Sequence, residues 1–201
     1  MCTYLRDTTL VIVYFAGHGS PEQENPPDRI SRYLVPYDAE YEYLFSTGIG
    51  METDIDSLLE RQYSRRLLFV LDTCFSGKAG GRGFIGPNLA SRLAQYRAPL
   101  SLQELHLGFG RAIMTACADN EFAKENKEHG VFTAHLIKAL SGNDTPTIGI
   151  GALYEEIYSG VVEETKDTQH PVLKGRIEGM RLPSARSSLA STRNAKRAKK
   201  T

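Results

Sequence analysis

The stretch VIVYFAGHGS, residues 11–20, joins an uninterrupted apolar run to a histidine placed between two glycines. A second stretch, RLLFVLDTCFSG at residues 66–77, has the same pattern of an apolar run followed by a reactive side chain, with Cys74 where the first stretch has His18. Apolar runs without polar alternation are typical of strands buried on both faces of a parallel sheet. Because the carboxyl ends of parallel strands meet at one edge of a sheet, the two stretches predict a site that contains His18 and Cys74.

Strands and helices alternate along the rest of the sequence. Two more strands are predicted, RAIMTACAD at residues 111–119 and QHPVLKG at residues 169–175, the second at an edge because Pro171 cannot donate to a strand ladder. Helical spacing of apolar residues, with Thr53 as an N-cap in the first case, predicts three helices, at residues 53–62, 130–140 and 152–164. This alternation predicts an α/β domain with a mostly parallel sheet flanked by helices.

Two segments that leave from the predicted site read as loops. Residues 20–32, SPEQENPPDRISR, are rich in proline and charge, and residues 76–100 are rich in glycine and arginine. Long irregular loops in a compact domain are usually functional or disordered.

Composition narrows the class of protein. A chain of 201 residues with 41% apolar and 24% charged residues suits one globular domain. Cys2, Cys74 and Cys117 show no paired spacing, so neither a disulfide framework nor a zinc site is indicated, and a reducing cytoplasm is expected. Apolar runs fall short of the ~20 residues that span a bilayer, and no signal peptide is visible, so we expect no membrane association.

Charge is unevenly distributed although the formal net charge is zero. Residues 185–201 contain arginines and lysines but no acidic residue. Such runs are usually solvated, disordered tails, and contact with nucleic acid or an acidic partner is the alternative interpretation. We therefore expect no nucleic-acid partner for this protein except through the basic tail.

Cys74 and His18 are the residue types of a nucleophile and its base. A free cysteine, with a pKa of about 8.5, holds little thiolate at neutral pH, and a nearby imidazole activates it. The backbone N–H groups of Gly19 and Cys74 are candidates to hold a developing oxyanion. A buried structural cysteine and a turn histidine are the alternatives, which are common singly but weak jointly, because both residues end apolar strands.

Five segments, taken in order, carry a resemblance to a known family. They are YFAGHGS, YLVPYDAE, LDTCFSG, MTACADNEFAKE followed by HGVFTAHL, and QHPVLKG. From about residue 10 to about residue 183 the chain resembles the caspase-like cysteine peptidases, the group of caspases, metacaspases and their bacterial relatives. The resemblance implies a caspase-like fold and a dyad of Cys74 and His18 that hydrolyses peptide bonds of protein or peptide substrates through a thioester. We predict no cofactor and no metal.

The resemblance also indicates a difference at the N-terminus. The family's domain begins with a further strand and helix ahead of the histidine strand, whereas only MCTYLRDTT precedes it here. We expect residues 1–184 to form an N-terminally truncated caspase-like domain that lacks this strand and helix, followed by the basic tail at 185–201. The remainder of a larger polypeptide, or a regulatory subunit, is then a candidate partner, and an exposed sheet edge is expected.

Asp72 is the candidate for substrate selection. It stands two residues before Cys74 and by strand alternation on the same face. A carboxylate there favours a cationic side chain before the cut and repels an acidic one. The resemblance agrees, since metacaspases share this acid and prefer basic residues, while caspases carry glutamine and cut after aspartate. In the alternative, Asp72 caps the turn around Phe75 and Ser76.

The segment from Lys78 to Gly110 is predicted to be a linker open to self-cleavage, because it is glycine-rich and follows the nucleophile. The candidate cleavage positions are Lys78, Arg82, Arg92 and Arg97. A passive surface loop is the alternative for this segment.

Three functions remain open on the sequence alone. The first is a cysteine endopeptidase that cleaves after arginine or lysine, which the intact pair His18 and Cys74 favours. The second is a catalytically inactive caspase-like module that binds or regulates a partner, which the short N-terminal region favours. The third, another thiol hydrolase on a similar sheet, is disfavoured because the matching segments extend well beyond the pair.

Overall fold

A computed structural model describes residues 9–23, 30–40, 43–61, 64, 66–73, 110–118, 121–126, 128–142, 145–175 and 179–185. The strands are β1 Leu10–Ala16, β2 His18–Gln23, β3 Ile30–Val35, β4 Ile49–Gly50, β5 Arg66–Asp72, β6 Arg111–Thr115, β7 Thr147–Gly149, β8 Val172–Gly175 and β9 Arg181–Pro183. The helices are α1 Leu44–Thr47, α2 Asp56–Arg61 after a π-helical turn Met51–Ile55, α3 Val131–Gly142 and α4 Ile150–Thr165. Residues 78–109 of the predicted linker and residues 186–201 of the predicted tail lie outside these ranges.

The central sheet has the order β1-β5-β6-β8. Strands β1, β5 and β6 are parallel, and β8 pairs with β6 in the antiparallel sense at one edge, the position expected from Pro171, which directly precedes β8. Among the described strands of this sheet, β1 forms the opposite edge, and its Ile12 and Tyr14 are 45% and 47% exposed. The α/β architecture with a mostly parallel sheet is confirmed.

Helices α3 and α4 cover one face of the sheet. Both helices present apolar residues at helical spacing to alternate residues of β5 and β6, because successive strand residues point to opposite faces. The main members of this core are Leu68, Val70, Ala112, Met114, Phe132, Leu136, Leu153, Ile157 and Val161.

The second face of the sheet packs against a small antiparallel sheet, β2-β3-β4, and the π-helical turn. Its core consists of Leu67, Phe69, Leu71 and Ile113 together with Leu34, Met51 and Ile55. A buried ion pair joins β3 to the turn, with Arg32 Nη2 lying 2.5 Å from Glu52 Oε1. The small sheet and the π-helical turn are thereby joined to each other, and both pack on this face of the central sheet.

Two predictions about the region between β1 and β5 are wrong. Within the segment 20–32, expected to be a loop, residues 20–23 belong to strand β2 and residues 30–32 to strand β3. Proline and charge are compatible with β2 because it is an edge strand of a sheet outside the central one. Thr53 is not an N-cap, because the helical backbone already begins at Met51, where the Gly50 N–H donates to Asp54 Oδ2 at 2.7 Å.

Candidate active site

Strands β1 and β5 end at the same level of the central sheet. Their parallel register pairs Leu10 with Arg66 and Ala16 with Asp72, an offset of 56 residues throughout. One step further, the Gly17 N–H donates to the Asp72 carbonyl oxygen at 3.2 Å. The chain therefore leaves the two strands side by side at one edge of the sheet.

His18 opens β2 immediately after this point. Its backbone pairs with Val35 of β3, and its side chain is exposed. Gly17 permits the tight passage from β1 to β2, since a Cβ there would lie 3.0 Å from the ring of Phe15. Gly19, the candidate for the oxyanion N–H, is buried beside His18. An exposed imidazole at the carboxyl end of a strand is accessible to a substrate from solution.

Cys74 lies outside the described residues. Phe75 and Ser76 also lie outside them, so the alternative in which Asp72 caps the turn around these two residues stays a prediction. Thr73, to which Cys74 is bonded, is 1% exposed. The Thr73 carbonyl oxygen accepts a hydrogen bond from Cys117 Sγ at 3.8 Å. The segment that follows β6 therefore packs directly against the end of β5.

Cys117 is buried, but it does not lie on a strand. Strand β6 ends at Thr115, although the apolar pattern predicted it to residue 119. The strand ends because the Thr115 hydroxyl donates to the Cys117 carbonyl oxygen at 3.1 Å and turns the backbone. This turn brings residues 116–118 over the carboxyl end of β5, where the Ala116 N–H donates to the Leu71 carbonyl oxygen at 3.0 Å.

Asp72 is fully buried on the face of the sheet that packs against α3. Its Oδ2 accepts a hydrogen bond from the hydroxyl of Thr133, in the first turn of α3. Thr133 Oγ1 lies 2.7 Å from the hydroxyl of Tyr14 on β1. Because no acidic residue of α3 itself lies in its first turn, Asp72 supplies the negative charge that a helix N-terminus favours.

Sequence reasoning did not find Thr133 or Tyr14 as part of the site. The available signal was weak: Thr133 is a hydroxyl residue within the apolar start of α3, and a buried hydroxyl requires a partner. The sequence does not name that partner, which lies 61 positions away.

Gln169 was also missed, and it holds the segment after β6 in place. Its side chain is fully buried. The amide Nε2 donates to the Ala116 carbonyl oxygen at 2.9 Å, and Oε1 accepts from the Lys124 N–H at 2.8 Å. One side chain thus joins the two ends of the segment that borders the end of β5.

His170 adds a charged clamp to the same segment. Its Nδ1 lies 2.5 Å from Glu121 Oε1, and its Nε2 lies 3.0 Å from Asp167 Oδ1. The hydrogen bond to Glu121, and next the hydrogen bond to Asp167, raises the pKa of His170 above its ordinary value. Since each ring nitrogen faces a carboxylate, the imidazolium, with two N–H donors, is the form that satisfies both.

This clamp predicts a pH-dependent stability. Because folding raises the pKa of His170, its contribution to the free energy of unfolding is complete below about pH 6.5, the ordinary pKa of histidine, and is lost as pH rises through the folded-state pKa. Urea unfolding of the native chain and of His170→Gln should differ most near pH 6 and least near pH 9. His129→Gln, at an exposed position, is the control. A difference that is constant with pH would contradict the clamp.

The caspase domain family matches the chain from residue 4 to residue 178, with both strand-end stretches and the segment after β6 inside the match. The chain belongs to this family. Caspase domains form a family of cysteine peptidases. The match confirms the resemblance that the sequence motifs indicated.

Solved structures match the chain at low sequence identity. A crystal structure of a protein from Geobacter sulfurreducens matches 81% of this chain and 64% of its own, with 16% identity and a TM-score of 0.54. Caspase-1 from Spodoptera frugiperda matches 84% of this chain and 64% of its own, with 15% identity and a TM-score of 0.40. The chain thus spans less than two thirds of either protein. No curated protein matches it by sequence.

Within the described ranges, no three His, Cys, Asp or Glu side chains are grouped so that they could hold a metal ion. None of the helices described is long and apolar enough to cross a membrane.

Proposed function

We propose that this caspase domain is a cysteine endopeptidase in which Cys74 is the nucleophile and His18 its acid–base partner. The observation that carries the proposal is the register of β1 and β5. Paired residues of the two strands are 56 positions apart, and Cys74 follows His18 by the same 56 positions. Adjacent strands of a sheet lie about 4.8 Å apart. Two residues that follow paired strand ends by the same number of positions are therefore expected to be close enough to interact.

The reaction follows from these two groups. The His18 imidazole accepts the thiol proton, and Cys74 Sγ attacks the scissile carbonyl carbon. The backbone N–H groups of Gly19 and Cys74 stabilise the oxyanion until the C–N bond breaks, and the imidazolium gives its proton to the leaving amine. Water, deprotonated by His18, then attacks the thioester, and the released thiolate recovers the proton.

Specificity for arginine or lysine before the cut is assigned to Asp72, as in metacaspase-like members of the family. Its neighbour across the sheet on β1 is Ala16, which is small and exposed. A long cationic side chain can extend past Ala16 toward the buried carboxylate, whereas an acidic side chain is repelled. A carboxylate shielded from water exerts a stronger force on such a cation than one in bulk solvent.

Labelling with an active-site-directed electrophile tests the proposal. A peptide chloromethyl ketone ending in arginine should alkylate the full chain once, at Cys74, and labelling should be at least tenfold slower in His18→Ala because the thiol loses its base. Cys117→Ala is the matched control, since Cys117 is buried and bonded at the end of β5, and it should label normally. A chain that is not labelled at Cys74 is instead an inactive binding module.

A further inference from the structure

A two-bond chain of hydroxyl groups leads from the exposed side of β1 to the buried carboxylate of Asp72. The Thr133 hydroxyl carries one proton and donates it to Asp72 Oδ2, so the Tyr14 hydroxyl must donate to Thr133 Oγ1, 2.7 Å away. The exposed fractions fall along this chain, from 47% for Tyr14 to 9% for Thr133 and 0% for Asp72. Three elements, β1, α3 and β5, are joined by these two bonds.

We propose that Thr133, supported by Tyr14, is a positioning residue that orients the Asp72 carboxylate and thereby sets the preference for a cationic side chain before the cut. The proposal rests on the proposed function, in which Asp72 receives that side chain. Thr133 acts through Asp72 and does not itself touch the substrate.

Carboxylate orientation matters because the last torsion of an aspartate is only weakly restricted by its own rotamer preferences. A guanidinium binds a carboxylate best in one plane, through two parallel hydrogen bonds. The bond from Thr133 holds Oδ2 toward α3 and so fixes the carboxylate plane. Tyr14 in turn supplies the Thr133 oxygen with a donor and directs the Thr133 proton toward Asp72.

The location of Tyr14 places the two hydrogen-bonded hydroxyl groups near the proposed path of the substrate side chain. Tyr14 and Ala16 lie on the face of β1 that Asp72 occupies on β5, since alternate residues share a face and Ala16 pairs with Asp72. A side chain that reaches Asp72 from the β1 side therefore passes close to the bonded hydroxyl pair. The pair borders the carboxylate where the cation arrives.

Peptide binding to the Cys74→Ala chain tests the inference without hydrolysis. Calorimetry would compare two peptides that differ only in arginine or norleucine before the scissile bond. The arginine peptide should bind more tightly, and Thr133→Val should lower the ratio of the two affinities about tenfold, as expected for the loss of one hydrogen bond to a charged group. Thr133→Ser, which keeps the hydroxyl, should restore the ratio, and Tyr14→Phe should lower it about threefold.

Thr165→Val is the matched control, because Thr165 is also a buried helical threonine, and its hydroxyl donates to the Val161 carbonyl oxygen. It should leave the ratio unchanged. An unchanged ratio in Thr133→Val, or in Tyr14→Phe if Thr133→Val does not fold, would overturn the inference. Equal binding of both peptides to the Cys74→Ala chain with Thr133 intact would also overturn the inference. Failure of the catalytic proposal is detected by a different experiment, in which Cys74 is not labelled by the electrophile.

Discussion

Replacing Cys74 with alanine is expected to abolish peptide hydrolysis, and replacing His18 with alanine to lower kcat/KM by about 10³-fold. The thiolate forms the covalent intermediate, so no other group in the proposed mechanism replaces it. In each half of the reaction the imidazole accepts a proton and then delivers it, from the thiol to the leaving amine and afterwards from water to the thiolate. Both losses should appear mainly in kcat, because the substrate contacts assigned to Asp72 are left intact.

Stability and a control variant separate this result from misfolding. His18 is exposed, so His18→Ala should unfold at nearly the same temperature as the native chain. Cys117→Ala should retain hydrolysis while losing stability, because it removes a buried side chain from the core beside β5. The measurement is cleavage of a fluorogenic arginine peptide by the full chain, and near-native turnover in either dyad variant would show the assignment to be wrong.

Replacing Asp72 with asparagine is expected to lower kcat/KM for arginine peptides by about 10- to 100-fold, the size of one or two lost charge-assisted hydrogen bonds. Asparagine has nearly the same shape and retains an oxygen that can accept the bond from Thr133. The substitution therefore removes the charge while keeping the contact with α3. The effect should lie mainly in KM, with little change in the rate of the chemical step.

Paired fluorogenic peptides that differ only in arginine or aspartate before the cut provide the measurement. The native chain should cleave the arginine peptide and reject the aspartate peptide, and Asp72→Asn should narrow this difference. Thr165→Asn introduces the same amino acid, asparagine, at a buried position of α4 and controls for a general loss of stability. Efficient cleavage after aspartate by the native chain, or cleavage after arginine that is undiminished in Asp72→Asn, would remove Asp72 from the specificity site.

The central strands could be predicted because their physical requirements are local. A strand buried on both faces needs a continuous run of apolar, preferably β-branched or aromatic residues, and residues 66–72 and 111–115 meet this need within their own sequence. Residues 10–16 carry the same pattern, although Ile12 and Tyr14 of this strand are exposed. The two long helices were predicted for the same reason, since each carries an apolar stripe at helical spacing.

The small sheet could not be predicted from the same local pattern. Strands β2 and β3 contain proline and charged residues, and they form a sheet only because they pair with each other and with β4 beneath the central sheet. Likewise, the end of β6 is set by the hydroxyl of Thr115 and not by the apolar pattern, which continues past it. In both cases a contact across the fold outweighs local propensity.

The sequence by itself determined the α/β class and the family, and it singled out His18 and Cys74 as the proposed reactive pair, because both residues follow apolar runs and are flanked by turn residues in the sequence. Only the tertiary structure decided the neighbours of the Asp72 carboxylate. Thr133 and Tyr14 reach it from a helix and from a strand that are remote in the chain, and Gln169 and His170 reach the segment after β6 in the same way. A buried polar group must find a partner, but which partner depends on the packing of whole elements, and that information is spread over the entire chain.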